Sequence, residues 1–242
     1  MTSIKKNDIL NCIDYCKQNK LFNKLNKIYS TLPSGDCTGC GNCCMESVGI
    51  NLIEFINIFE YLKNNEELRK KCLSKVLDYY LLEFVQKNAC PFKDEKNMCL
   101  IYEVRPLNCR LFGHWIKDDY NKNLLNVTQR NLDYNTIIKS KYGFDINDEV
   151  VNYKIQYCED FIPQNDYLDK ATRLEFADEL MTLDSNIYSK EIIDIEFKDR
   201  GIVEYFIDYL LNENVAYNIK IRVSKDEAIR DRAINRLKKM LL

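Results

Sequence analysis

The chain has 242 residues, of which 46% are hydrophobic and 30% are charged, a balance typical of folded globular proteins rather than disordered or membrane proteins. Its formal net charge of −2 and pI of about 5.7 indicate no basic surface for nucleic acid. No apolar run approaches the roughly 20 residues that span a bilayer, and the N-terminus lacks a signal peptide's apolar segment, so we expect a cytoplasmic protein that contacts neither nucleic acid nor membranes.

Apolar residues at helical spacing predict one helix over residues 7–29, ending before Pro33 and Gly35. Cys12 and Cys16 stand four residues apart on this helix and share a face. They could bind a metal together, but thiols at this spacing on an apolar face are more often packing residues.

The next stretch, residues 37–44, is here called the cysteine loop because it holds four cysteines in eight residues. Thiolates are the ligands that zinc and iron–sulfur clusters select. Gly39 and Gly41 allow the sharp turns that bring such ligands together. In a reducing compartment, clustered cysteines indicate metal ligands before disulfides, so the loop is predicted to bind a metal.

Three further thiols follow at Cys90, Cys99 and Cys109. The C-x2-C-x2-C spacing of the loop equals the first three ligands of a bacterial ferredoxin run, and a remote Cys-Pro such as Cys90-Pro91 can supply the fourth. We therefore expect this second segment to fold back onto the cysteine loop. This spacing favours an iron–sulfur cluster, of the 4Fe-4S type, although zinc accepts four thiolates equally well.

The candidate ligands are cysteines in the two segments and one downstream, namely Cys37, Cys40, Cys43, Cys44, Cys90, Cys99, Cys109 and Cys158. They could form two four-thiolate sites or one cluster with spare thiols, and the sequence leaves this partition open. Arg105 and Arg110 flank ligand candidates and are predicted to offset the negative charge of a thiolate-bound cluster. The alternative is that both arginines pair with surface carboxylates.

The other periodic segments predict a mainly α fold. Helices are expected over residues 51–62, 66–86, 126–141, 166–183, 186–195, 202–211 and 224–242, with capping boxes at Asn51 and Ser224. Residues 47–50 and 215–223 are predicted to be extended, and the polar residues 117–123 a surface loop. Cys72 falls on the buried stripe of its helix. We predict a metal-binding domain with an irregular cysteine-rich core and short strands over residues 1–163, and a helical C-terminal extension over residues 164–242.

His114, the one histidine, could be a metal ligand or a general acid or base, but a lone His beside Trp115 is more often a packed, hydrogen-bonded ring. A P-loop and a dinucleotide-binding glycine loop are missing from the sequence. No sequence motif therefore names a substrate.

Four ordered motifs resemble the YkgJ-like CxxCxxCC cysteine-cluster family of zinc- or iron-chelating domains. They are the cysteine loop, the segment with Val48 and Glu54, Cys90-Pro91-Phe92, and the segment from Cys99 through Arg105-Pro106 to Cys109-Arg110. The resemblance covers roughly residues 36–113, with a further family-like cysteine at Cys158. Flagellin lysine-N-methylases contain a similar domain, so the resemblance implies protein methylation, and with it a protein substrate or partner, as one reaction class.

Two functions follow from these observations. The first is an iron–sulfur protein acting in redox chemistry or protein modification, either an oxidoreductase or a protein similar to lysine N-methyltransferases. The second is a zinc-binding structural module without catalysis, whose helical tail binds a partner.

Overall fold

The computed structural model describes residues 3–242, and its fold is mainly α, as predicted. The helices are α1 (Lys6–Gln18), α2 (Leu21–Thr31), α3 (Leu52–Lys63), α4 (Glu66–Leu82), α5 (Leu107–Leu111), α6 (Lys117–Tyr142), α7 (Asp148–Val151), α8 (Lys170–Tyr188), α9 (Ile202–Leu210), α10 (Glu213–Lys225) and α11 (Glu227–Leu241). The strands have two residues each and are β1 (Gly35–Asp36), β2 (Gly49–Ile50), β3 (Ile162–Pro163) and β4 (Arg200–Gly201). β1 pairs antiparallel with β3, and β2 pairs antiparallel with β4.

The prediction of one helix over residues 7–29 was wrong, because the chain breaks between α1 and α2 at Asn19 and Lys20. Lys20 has a left-handed backbone with φ of 55°, which a right-handed helix cannot continue. Both helices pack on the main core, and Cys12 and Cys16 are fully buried in it. Burial raises the pKa of each of these thiols to about 12, as expected for packing residues.

The start of α3 is held by carboxylates from two directions. The Asn51 amide donates to Glu54 Oε2 at 2.9 Å, as the predicted capping box requires. From α8, Asp184 accepts hydrogen bonds from the Leu52 amide at 2.8 Å and the Ile53 amide at 2.7 Å. Asp184 therefore satisfies amides that the first turn of a helix leaves without partners, and it ties the C-terminal half of the chain to the N-terminal half.

The main hydrophobic core is built around α3 and α4. α4 packs against α9, α10 and α11, and α3 packs against α1, α2 and α8. Cys72 on α4 is fully buried, as its place on the apolar stripe predicted. This core contains residues from both sides of the boundary expected at 163/164, and the division of the chain there stays a prediction.

The polar segment 117–123 is helical, so its prediction as a surface loop was wrong. It forms the first turns of α6, which also includes the helix expected over residues 126–141. Asp118 and Asp119 lie in the first turn, where negative charge is favourable beside the free amides. α6 is largely exposed and buries Tyr120 and Ile138, so a polar sequence is compatible with a helix here.

The strand predicted over residues 215–223 is also wrong, because these residues lie in α10. Asn212 caps this helix by accepting hydrogen bonds from the amides of Asn214 and Val215. Ala216, Lys220 and Val223 are buried at spacings of four and three residues, which is the period of a helix face. The apparent alternation of apolar residues hid this helical period.

The remaining C-terminal boundaries shift from their predicted positions. α8 is capped by Asp169 and continues to Tyr188, after which the chain turns at Glu191 with φ of 52°. The helix predicted over residues 186–195 was therefore wrong. α9 agrees with its prediction. α11 is capped by Asp226 rather than Ser224, because the Ser224 hydroxyl instead donates to the Lys220 carbonyl.

The structure contains, within residues 3–242, no helix that is both long and apolar enough to cross a lipid bilayer.

Replacing Asp184 with Ala should lower the free energy of unfolding by about 2–4 kcal/mol, because buried amides that lose a partner cost about 1–3 kcal/mol each. Urea denaturation followed by circular dichroism measures this change. The matched control is Asp178→Ala, an exposed position on the same helix, which should stay within about 0.5 kcal/mol of wild type. Equal stability of the two variants would contradict the role of Asp184.

The stability of the protein should also depend on the ionisation of Asp184. Burial raises its pKa to about 6, against the opposing effect of its hydrogen bonds, whereas an exposed aspartate titrates near a pKa of about 3.9. Between these values the folded chain keeps a proton that the unfolded chain has lost, so rising pH destabilises the folded state. Relative to wild type, Asp184→Asn should therefore gain up to about 3 kcal/mol of unfolding free energy between pH 4 and pH 7. A difference that stays constant over this range would refute the assignment.

Candidate metal centre

The cysteine loop connects β1 to the chain that enters β2. Gly39 and Gly41 have left-handed backbones with φ of 69° and 72°, as expected for residues that turn the loop sharply. The Cys44 amide donates to the Gly41 carbonyl at 3.1 Å and closes a tight turn. Cys37 is exposed, whereas the other three thiols of the loop are half-buried. The loop is therefore more accessible at its start than at its end.

The second cysteine segment folds back onto the end of this loop. The Cys90 amide donates to the Cys44 carbonyl at 2.9 Å. A short antiparallel bridge between Lys93 and Cys99 then returns the chain, supported by the Leu100 amide bonding to the Phe92 carbonyl at 2.7 Å. These backbone contacts place Cys90 and Cys99 beside Cys44.

Cys109 is carried to the same region by α5. The amide of Leu107, in the first turn of α5, donates to Glu54 Oε1 at 2.6 Å. The same carboxylate oxygen accepts a hydrogen bond from the Tyr29 hydroxyl at 2.7 Å. Glu54 is buried, and burial raises its pKa, opposed by these hydrogen bonds. A single carboxylate thus fixes the helix that presents Cys109.

Cys158 approaches the opposite end of the cysteine loop. β3 follows Cys158 in the chain and pairs with β1, which directly precedes Cys37. In this pairing Gly35 lies opposite Pro163. The ring of Phe161 fills the space where a side chain at Gly35 would stand, since a Cβ there would lie 2.2 Å from the ring. This close approach requires glycine, and it brings the segment of Cys158 to the start of the loop.

The thiols shift one another's pKa values, and the pairs that interact are those that the backbone contacts bring together. Burial, together with smaller contributions from the neighbouring Cys44 and Cys99, raises the pKa of Cys90 to about 12. Burial likewise raises the pKa of Cys99 and Cys109, with added contributions from Cys44 to both. Cys158 responds to different neighbours: burial raises its pKa, and Cys40 and Cys37 add to the shift.

The adjacent pair Cys43 and Cys44 has opposite protonation preferences. A hydrogen bond from the Cys43 thiol lowers the pKa of Cys44 to about 7, and the positive charges of Lys93 and Arg105 assist against the effect of burial. The same hydrogen bond, together with burial, raises the pKa of Cys43. Cys44 is therefore the thiol most easily converted to the thiolate form that binds metals.

Arg105 has the surroundings expected of a residue beside an anionic centre. Its guanidinium lies 4.2 Å from the centre of the Tyr102 ring, and its charge lowers the pKa of Cys44 and opposes the rise of the pKa of Cys99. Its buried Nε has no hydrogen-bond partner among residues 3–242. A buried donor without a partner beside thiols fits a bound, negatively charged thiolate centre.

Arg110 has other partners. Its side chain donates to the carbonyls of Arg105 and Glu103, both at 2.8 Å, and its guanidinium lies 4.1 Å from the centre of the Tyr29 ring. These contacts brace the turn between Cys99 and Cys109, and the alternative, pairing with a surface carboxylate, is not among them. Its predicted contact with a metal centre stays a prediction.

His114 packs close to the Cys158 segment. Its ring meets Phe161 edge to face at 4.6 Å, and burial lowers its pKa, opposed by a hydrogen bond to the backbone of Pro33. Its Nδ1 has no partner in the described part of the chain. These contacts are those of a packed, neutral ring.

Sequence reasoning missed Lys93, Glu54 and Phe161 as contributors to this region. Lys93 lies three residues after Cys90, and its Nζ is 3.5 Å from the Gly41 carbonyl. A lysine this close in sequence to a predicted ligand was a signal from which its role beside the thiols could have been predicted. Glu54 was recognised as a helix cap, but its bond to Leu107 depends on a contact between distant segments.

The thiols are gathered into one region, but they do not stand in coordination geometry. Within residues 3–242, no three side chains of His, Cys, Asp or Glu converge closely enough to hold a metal ion as they stand. The donor set of thiols nevertheless matches the preference of zinc and iron–sulfur centres.

Comparison with known proteins identifies one domain. Residues 36–133 match the family model CxxCxxCC, described as a "putative zinc- or iron-chelating domain". Comparisons with curated proteins and with solved structures gave no significant match. The match contains seven of the eight candidate ligands, and Cys158 lies beyond it. Residues 36–133 therefore match a CxxCxxCC domain, and the resemblance predicted from the cysteine motifs is confirmed for this segment.

Proposed function

We propose that the chain binds an iron–sulfur cluster, of the 4Fe-4S type, and acts as a redox protein. The observation that carries this proposal is the hydrogen bond from the Cys90 amide to the Cys44 carbonyl at 2.9 Å. It seats a remote Cys-Pro on a C-x2-C-x2-C loop, which is the combination that completes a ferredoxin-type ligand set. The membership of this segment in a metal-chelating family supports the same conclusion.

The residues around the thiols suit a centre whose negative charge increases on reduction. The thiolates would hold the cluster, and when bound it would supply one-electron transfer at a potential set by charge, hydrogen bonds and exposure. Lys93 and Arg105 both stabilise negative charge at Cys44. Arg105 also offers its unpaired Nε as a hydrogen-bond donor. These two cations would favour the reduced, more negative state of the centre.

A zinc-binding structural module is the second candidate. The family description includes zinc as well as iron, and four thiolates make a stable tetrahedral zinc site. In this case the metal would contribute folding energy and no redox chemistry. Colour separates the two candidates, because an iron–sulfur cluster absorbs visible light and zinc does not.

A cavity beside the cysteine loop supports protein modification as the reaction class. It has a volume of about 230 Å³ and is lined in part by Glu46, Tyr79, Glu83 and Tyr134. Carboxylates and aromatic faces attract a cationic side chain such as lysine. Glu83 already pairs with Lys220, so the carboxylate open to a ligand is Glu46, which Lys87, itself a lining residue, holds only loosely at 3.9 Å. We therefore propose a lysine-bearing protein as the partner, as the resemblance to flagellin lysine-N-methylases implies.

Protein purified without oxygen should contain iron and sulfide and absorb broadly near 400 nm. Cys90→Ala should reduce both the absorbance and the iron content, because loss of one thiolate ligand forfeits much of the binding energy of a metal site. Metal analysis and absorbance spectra measure this. Cys72→Ala is the matched control, since Cys72 is buried beside Cys90 but is a core residue, and it should keep the wild-type metal content. Colourless protein with stoichiometric zinc would contradict the iron–sulfur proposal and support the structural module.

A fluorescently labelled lysine peptide should bind the cavity more tightly than the same peptide with acetylated lysine, because acetylation removes the positive charge. Fluorescence anisotropy measures both affinities. Glu46→Gln should weaken the binding of the unmodified peptide severalfold, whereas Glu67→Gln, an exposed position on α4, should not. Equal binding of the two peptides would rule out charge recognition at this cavity.

A further inference from the structure

We propose that Lys87 is a nucleophile that captures a small polar aldehyde or ketone as an imine, in an open groove beside its side chain. This inference goes beyond the proposed function, because it needs neither a bound metal nor a lysine ligand. It starts from the pairing of the Lys87 ammonium group, which is unusually weak for a lysine that the protein covers.

Lys87 differs in its pairing from two lysines that are covered to a similar extent. Its side chain is 17% exposed, and its nearest carboxylate oxygen, Glu46 Oε1, lies 3.9 Å away. Within residues 3–242 its Nζ donates no hydrogen bond. Lys220 is 5% exposed and Lys238 is 23% exposed, and each bonds directly to a carboxylate. Because a covered charge without a close partner costs stability, the weak pairing of Lys87 indicates a role other than holding the fold together.

The side chain of Lys87 lines two open spaces. One is the cavity described above, which Glu46 also lines. The other is a groove of about 660 Å³, lined in part by Met45 and Tyr153. The Nζ of Lys87 lies 4.7 Å from the centre of the Tyr153 ring, so the amine is within reach of a ligand in the groove.

The lining of the groove selects the chemical class of that ligand. Apart from Met45 and the ring of Tyr153, the groove is lined by polar and charged side chains, among them Asn152 and Gln156. A small polar carbonyl compound suits such a lining. Glu46 lines the cavity and not the groove, so its carboxylate stays available to the lysine ligand proposed for the cavity.

The surroundings of Lys87 also favour the uncharged amine, which is the form that attacks a carbonyl group. Burial lowers the pKa of Lys87, opposed by the negative charges of Glu46 and Glu83. The titratable and charged side chains that line the cavity or the groove with it are Glu46, Tyr79, Glu83, Tyr134, Glu149, Tyr153 and Lys154. A lysine activated by desolvation is the kind of amine that forms Schiff bases with carbonyl substrates.

The reaction joins the Nζ of Lys87 to the carbonyl carbon of the ligand. The lone pair of the neutral amine forms the C–N bond while the C=O double bond opens, and one amine proton moves to the oxygen to give a carbinolamine. The C–O bond then breaks, and the oxygen leaves as water with the second amine proton. Amine and carbonyl compound therefore give an imine and one water molecule, without an oxidant or a reductant.

Reductive labelling of the full purified chain tests this proposal. Glycolaldehyde serves as the probe, sodium cyanoborohydride reduces any imine to a stable amine, and mass spectrometry of peptides measures the labelling rate at each lysine. Lys87 should be labelled severalfold faster than Lys63. Lys63 is the more exposed of the two, at 32%, but it pairs directly with Glu60 at 2.7 Å. Lys87→Arg should abolish the fast labelling, and the matched control Lys63→Arg should keep it.

Two further measurements distinguish a binding site from a lysine that is only reactive. The labelling rate at Lys87 should saturate as the glycolaldehyde concentration rises, because capture follows binding in the groove. The rate should also level off at a lower pH than that of free Nα-acetyl-lysine, whose side chain titrates near a pKa of about 10.4. Circular dichroism verifies that Lys87→Arg folds.

The outcomes are independent of the proposed function. Labelling of Lys87 that is no faster than that of Lys63 would overturn its assignment as the nucleophile. A rate that rises linearly with glycolaldehyde concentration would overturn the binding site in the groove. Neither result depends on metal content or on the affinity of a lysine peptide, so the failure of one proposal leaves the other in place.

Discussion

The arrangement of the cysteine segments depends on the buried carboxylate of Glu54. It accepts hydrogen bonds from the Tyr29 hydroxyl, the Asn51 amide and the Leu107 amide, and so connects α2, the start of α3 and the helix that carries Cys109. A buried carboxylate without such partners would be strongly destabilising, because burial penalises its charge. These three segments must therefore meet at one point, and Arg110, stacked on Tyr29, closes the same junction from outside.

The helices supply the rigidity that the irregular cysteine segments lack. A loop with two left-handed glycines and two-residue strands has few hydrogen bonds of its own, so it takes its shape from what it is attached to. The second cysteine segment is attached at Cys44, and the Cys158 segment is attached at β1. Asp184 adds a further connection by holding the start of α3 from α8. Residues far apart in sequence thus determine how closely the thiols approach.

The sequence predicted correctly the elements whose formation depends on residues close together in the chain. The capping box at Asn51 and the buried face of α4 were identified correctly, because both depend on residues within a few positions of each other. The strand expected over residues 215–223 failed since Tyr217, Ile219 and Ile221 alternate by chance along a helix whose start is fixed by Asn212. The polar start of α6 was missed because an exposed helix needs little apolar periodicity.

The candidate site shows the same division between local and distant information. Cysteine spacing was enough to identify the ligand candidates, since packing a hydrophobic core does not require four thiols in one short loop. It could not predict how the cysteine segments meet, because their arrangement follows from the pairing of Gly35 with Pro163 and from the bond between the Cys90 amide and the Cys44 carbonyl. Two-residue strands are too short to show an alternating pattern in the sequence. A single amide-to-carbonyl bond gives no sequence pattern either. The glycine at position 35 is the one local trace of this pairing, because the close approach of Phe161 excludes a side chain there.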